Sequence, residues 1–243
     1  MGCFLTNSSL GRKLVMSITG CFLVLFILFH MSMNVVAIID SKVGGAYDMI
    51  CEFLGANWYA LVATVVLAAG VLVHFVYAFW LTLQNRKARG NVRYAKTVTE
   101  KGVDWESKNM LVLGIIVILG LGLHLSHFWA KMQLQELLGN HEVLVLENGY
   151  KLGPTDGVAI INHVFSQWYN VVLYLVWFAA LWFHLNHGIW SMCQTAGAAN
   201  DTWLPRLKKV SKLVSTLIFL GFAVVAILTY VKSVCPCVEA WFE

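Results

Sequence analysis

Five long apolar stretches alternate with short polar segments along the chain: 14–39, 58–83, 110–131, 161–192 and 213–231. Each is long enough to supply the roughly 20 helical residues that cross a bilayer core. Only three prolines interrupt the whole sequence, so the helices are expected to run mostly unbroken. The first stretch is too long for the apolar part of a secretion signal. No A-x-A-like cleavage site follows it, so it reads as a span. The expected fold is all-α: one transmembrane domain, 1–243, built as an integral membrane bundle of five helices.

Composition agrees with that pattern. Charged residues make up 12% and hydrophobic residues 59% of the chain, and mean hydropathy is +0.70. A soluble domain averages about 25% charged residues. The net charge of +4 sits in short loops and not on a basic face, which excludes a nucleic-acid binder. Aromatics gather at the ends of the stretches, among them Trp58, Tyr59, Trp80, Trp105, Trp129, Trp168, Trp190 and Trp203. They read as the interfacial belt that anchors helices at the lipid boundary.

Charge sets an expected orientation. Arg12 and Lys13 precede the first span. Arg86, Lys87, Arg89, Arg93, Lys96, Lys101 and Lys108 fill the loop between the second and third. Arg206, Lys208, Lys209 and Lys212 precede the fifth. The other side carries most of the acids, including Asp40, Asp48, Glu52, Glu136, Glu142 and Asp156. Basic loops stay in the cytoplasm, so the N-terminus is expected inside and the C-terminus outside. The six cysteines show neither C-x-x-C spacing nor a Cys/His finger, which argues against a zinc site or an iron–sulfur cluster held by this chain. Cys235 and Cys237 form the only close pair, and a bridge from one of them to Cys51 is open if all three face an oxidising compartment.

The histidines change the picture most. His30, His74, His124 with His127, and His184 with His187 lie inside the first four stretches. An ionisable side chain at membrane depth is costly and usually functional. Depth follows from the helical rise of about 1.5 Å per residue. His30 and His124 fall roughly 25 Å from the inner boundary on outward-running helices, while His74 and His184 precede inner-side polar residues by roughly 15–18 Å. Two layers result, His30 with His124 and His74 with His184. Imidazole is the usual proximal haem ligand, and the middle of the spans has no Asp or Glu for a hard cation. Two haems, each held by two histidines, fit this set. Gly20, Gly70, Gly114, Gly120 and Gly122 leave room for a flat ligand or for close helix packing. His127 and His187 each follow a ligand candidate by three residues and read as alternative ligands or supporting groups. His163 is placed for a haem propionate or a quinone, and His141 for solvent.

These residues resemble a known family. The run Ser17 to His30 (SITGCFLVLFILFH), Val73-His74 (VHFVYA), Gly122 to Leu125 (GLHL), Phe183 to Ser191 (FHLNHGIWS) and Leu207 to Lys212 (LKKVSK) are similar to the cytochrome b subunit of succinate dehydrogenase and fumarate reductase. The likeness covers nearly the whole chain and is nearest the five-helix, dihaem membrane anchor. It implies two haem b groups, with His30 and His124 as axial ligands of the distal haem iron and His74 and His184 as those of the proximal one. It also implies a flavoprotein subunit and an iron–sulfur subunit on the cytoplasmic face, surrounding lipid, a dimer of the whole complex as an open possibility, and the bacterial cytoplasmic (inner) membrane as location. The enzymatic part of this subunit is a quinone site only. The dihaem type leans to menaquinone, and Glu52, His127 and His163 are the candidates around the ring. Some relatives carry a glutamate two residues before the fourth-span ligand, tied to proton movement. Trp182 stands there in this chain, so that path is expected to be missing. The rival expectations are a dihaem anchor of a hydrogenase or formate dehydrogenase and, from another class, a haem-free transporter. Midplane acids and paired Gly/Pro breaks, which a transporter would favour, are missing from the spans.

Overall fold

A computed structural model describes residues 8–42, 44–89, 104–145, 151–198 and 200–235. Cys3, Cys237 and the loop bases Arg93, Lys96 and Lys101 lie outside the described residues. The order of elements is α1 (Ser9–Ile39), α2 (Ala46–Ala56), α3 (Trp58–Arg89), α4 (Trp105–His124) continued by a π turn (Leu125–Trp129), α5 (Gln133–Leu138), β1 (Leu144–Val145), β2 (Lys151–Leu152), α6 (Gly157–Phe165), α7 (Trp168–Thr195) and α8 (Trp203–Val234). Five of these, α1, α3, α4, α7 and α8, are long and apolar enough to cross a membrane. The chain is a helical, multi-pass membrane protein. The two short strands pair antiparallel, Leu144 opposite Leu152, and Glu142 and Lys151 join at 2.9 Å beside them.

Helices α1 and α8 begin at their caps and not where the apolar run begins. Ser8 accepts the Gly11 N–H at 2.8 Å and so starts α1 upstream of the basic pair Arg12 and Lys13. Asn200 Oδ1 accepts the N–H groups of Thr202 and Trp203 at 3.1 and 2.8 Å and starts α8, with Pro205 in the first turn where its missing donor costs nothing. The fourth span corrects the sequence expectation. It does not run from 161: α6 ends at Phe165, and a new helix starts at Trp168. Polar side chains make the break. Ser166 Oγ donates to the His163 carbonyl at 3.0 Å, and Asn170 Nδ2 donates to the Val164 carbonyl at 2.8 Å. These bonds satisfy the last carbonyls of α6. His163 therefore sits on a separate short helix.

The chain divides into two compact units. The first comprises Met1–Phe26, Val66–Ile115 and Trp182–Thr216; the second comprises Ile27–Val65, Ile116–Leu181 and Leu217–Glu243. The first unit is tied by polar contacts between helices. Lys208 Nζ meets Asp104 at 2.7 Å, Asn186 Nδ2 donates to Glu106 at 3.0 Å, and buried Ser211 donates to the Asn186 carbonyl. Trp182 donates its indole N–H to Thr216 Oγ1 at 3.0 Å. Its role here is to join α7 to α8.

The second unit holds an apolar cluster of Ala37, Val158, Ile161, Val164, Phe165, Tyr174, Phe178, Val225 and Ala226. Helix α6 lies inside it and needs a cap, which its own preceding residue Asp156 does not give. Asp48 gives it from α2: Oδ1 accepts the Val158 N–H and Oδ2 the Gly44 N–H, both at 2.8 Å. A carboxylate in this place also meets the positive end of the α6 dipole. Replacing Asp48 by Ala leaves two N–H groups without their acceptor, and the buried one, that of Val158, costs about 1–3 kcal/mol. Thermal unfolding of purified Asp48→Ala is expected to shift to lower temperature and Asp48→Asn to shift less. An unchanged midpoint in Asp48→Ala would show that this cap does not hold α6.

Candidate functional site: two histidine pairs

Each unit contains one facing pair of histidines. In the first unit, His74 on α3 and His184 on α7 have ring centroids 6.3 Å apart, with planes at 65°. Glycine lets two further helices come close. A Cβ on Gly20 of α1 would lie 3.5 Å from His74 Cε1, and one on Gly114 of α4 would lie 3.8 Å from His184 Cε1. Thr19, next to Gly20, places Oγ1 at 3.1 Å from His74 Nδ1. The Nδ1 atoms of His184 and His187 are buried without a hydrogen-bond partner among the described residues. His187 does not face His74; its ring packs edge-on against Trp190 at 4.9 Å.

In the second unit, His30 on α1 and His124 at the end of α4 have centroids 5.7 Å apart and planes at 80°. Aromatic rings wall this pair: Phe222 lies 5.8 Å from His30, and Phe128 and Trp177 lie 5.2 and 5.7 Å from His124. Asn34 Nδ2 donates to the His30 carbonyl at 2.8 Å and approaches His30 Nε2 at 3.4 Å. Trp177 lies flat on α4, where Gly120 has no side chain to stop it and where its indole N–H reaches the Val117 carbonyl at 3.0 Å. A Cβ on Gly120 would sit 2.0 Å from Trp177 Cδ1, so any larger residue there displaces the ring.

The π turn after His124 is the feature that sequence spacing missed. Three residues along an α-helix nearly share a face. Winding Leu125–Trp129 as a π turn shifts the side chains that follow. His124 faces His30, whereas His127 stacks on Tyr174, with centroids 5.9 Å apart, planes at 19° and Nδ1 at 3.3 Å from the Tyr174 hydroxyl. Tyr174 is 1% exposed and anchors this ring in the second-unit core.

The remaining candidates are spread out. Glu52 on α2 is exposed and makes no hydrogen bond or ion pair among the described residues. The buried acid is Asp48, one turn earlier, and it is spent on capping α6. The alternation of Tyr47, Asp48 and Cys51 with exposed Met49 and Glu52 was the available signal, since those three share one helix face. Burial and the neighbouring Cys51 and Asp48 push the Tyr47 hydroxyl up. Burial, then the Asp48 charge, pushes the Cys51 thiol up to about 12. Cys51 and Cys235 are free thiols, so the bridge between them is not formed, and its alternative through Cys237 lies outside the described residues. No group of three or more His, Cys, Asp or Glu able to hold a metal ion occurs among the described residues.

His163 on α6 is exposed along one side, and its proton affinity is lowered from the ordinary 6.5, first by partial burial and then by Lys131. The unfolded chain therefore takes up this proton before the folded one as pH falls. Its contribution is stabilising at pH 7 and is lost as pH drops below about 6.5. Imidazole NMR is expected to give a His163 midpoint below the ordinary value, rising towards it in Lys131→Met. A midpoint at or above the ordinary value would contradict the placement of Lys131 beside this ring.

Set against family models, curated proteins and solved structures, the chain matches none of them.

Proposed function

We propose that the chain is the dihaem cytochrome b membrane anchor of a succinate:quinone oxidoreductase, either a succinate dehydrogenase or a fumarate reductase. The observation that carries this reading is the spacing of the two histidine pairs. A metal–nitrogen bond is about 2.0–2.1 Å, and an imidazole centre lies about 1.1 Å beyond its nitrogen, so two rings on opposite sides of one iron stand about 6.3 Å apart. The pairs stand at 6.3 and 5.7 Å. Among the described residues each pair of imidazoles has no third His, Cys, Asp or Glu grouped with it, and two donors are too few for a bare protein-held ion. They suit a haem, whose macrocycle brings the other donors and prefers an apolar wall. Glycine facing each ring of the first-unit pair also fits.

When bound, two haem b groups supply iron centres that each take up and release one electron, linking a partner's iron–sulfur clusters to a membrane quinone. The residues of this chain do the rest. His74 with His184 and His30 with His124 would hold the two groups. Trp177, Phe128 and Phe222 keep water from the second pair. His127 with Tyr174, and His163 beside Lys131, are the proton-handling groups near it, and they suit quinone chemistry, which moves two protons with two electrons. Glu52 is the weakest member of that set because it faces outward. Menaquinone is the proposed quinone. Arg12, Lys13, Arg86, Lys87 and Lys209 form the proposed cytoplasmic docking side for the iron–sulfur and flavoprotein subunits, in a bacterial inner membrane.

Reduced-minus-oxidised spectra of the purified complex test this. His74→Leu or His184→Leu is expected to remove one haem, and His30→Leu or His124→Leu the other. Retention of both haems in all four variants would overturn the assignment, and co-purification of a hydrogenase or formate dehydrogenase would overturn the partner.

A further inference from the structure

Thr19 sits on α1, and its hydroxyl oxygen lies 3.1 Å from His74 Nδ1. We propose that Thr19 is the positioning residue of His74: its oxygen holds the His74 Nδ1–H and thereby turns the bare Nε2 towards the iron position shared with His184. This rests on the haem reading above and adds to it the means by which one ligand is oriented.

The count of hydrogens carries the inference. A threonine hydroxyl has a single hydrogen and two lone pairs. It has the Val15 carbonyl at 2.8 Å and the Met16 carbonyl at 3.2 Å as acceptors within its own helix. A helical threonine commonly returns its hydrogen to the i−4 carbonyl, and the Val15 oxygen is the nearest of the three neighbours. With that hydrogen used, the Thr19 oxygen meets His74 only as an acceptor. His74 Nδ1 must then carry the proton, and in a neutral imidazole the other nitrogen is left with its lone pair. Gly20 completes the seat, because a Cβ there would lie 3.5 Å from His74 Cε1 and longer side chains would enter the space of the ring. His184 has no matching support: its Nδ1 is buried with no partner among the described residues. Orientation in this pair is therefore one-sided and comes from α1.

A hydrogen bond from the distal nitrogen makes the ligating nitrogen more basic. That favours ferric over ferrous iron and lowers the midpoint potential of this haem. The hydroxyl thus tunes the site as well as orienting it.

The test is an optical redox titration, with low-spin EPR, of the purified full complex carrying Thr19→Val or Thr19→Ser. The relevant haem is identified as the step missing from His74→Leu. Thr19→Val is expected to raise that midpoint and shift its EPR signal, Thr19→Ser to return both to the wild-type values, and the second haem to stay unmoved. An unaltered midpoint and signal in Thr19→Val overturns the proposal, as does a Thr19→Ser complex displaced as far as Thr19→Val. If Thr19→Val assembles without this haem, Thr19→Ser decides: retention supports the hydroxyl, and loss with the second haem kept overturns it. A wild-type complex with no haem removes the underlying reading and this inference with it. A wild-type complex with two haems and an unmoved Thr19→Val removes the role of Thr19 alone.

Discussion

A polar nitrogen taken out of water without a partner costs about 1–3 kcal/mol, and hydrocarbon offers it no compensation. Imidazoles placed along membrane helices must therefore be satisfied by a neighbour or by a ligand. This chain solves the problem in three ways. Thr19 takes one nitrogen of His74, Asn34 stands beside His30, and Tyr174 stands beside His127. The Nδ1 atoms of His184 and His187 stay buried with no partner among the described residues. Of the first pair, His74 thus has a neighbour for its Nδ1 and His184 has none among the described residues.

Backbone approach makes those placements possible. Gly20 and Gly114 bring α1 and α4 against the first pair, and Gly120 lets Trp177 lie on α4 beside His124. Small residues at helix contacts serve packing in any membrane protein. Here the rings they admit are those of the paired histidines or of their immediate wall. In the second unit the same logic extends to Asp48, whose carboxylate holds the start of α6 so that Ile161, Val164 and Phe165 can pack under Tyr174.

Much of this was legible in the sequence because bilayers impose a strong and simple constraint. Apolar length identifies five helices, and rise per residue places His30 level with His124 and His74 level with His184. Span ends were less legible. Ser8 and Asn200 extend α1 and α8 through charged residues, and Ser166 with Asn170 breaks the fourth apolar run, because capping bonds outweigh hydropathy at helix termini. The π turn at Leu125–Trp129 has no marker in periodicity, so the separation of His127 from His124 was hidden. Asp48 and Glu52 are not separated by position in the sequence, which does not tell which acid on α2 turns inward. Thr19 was hidden for a related reason: a threonine in an apolar helix reads as bonded to its own backbone, which is true here and still leaves an oxygen for His74.

The central claim is that each pair of imidazoles grips one iron from opposite sides. Low-spin EPR of the oxidised, purified complex, quantified against protein, tests it most directly. Ring planes at 65° and 80° predict two strongly anisotropic low-spin ferric signals that together account for two haems per chain. High-spin iron as the main species, one haem per chain, or no haem at all would contradict it.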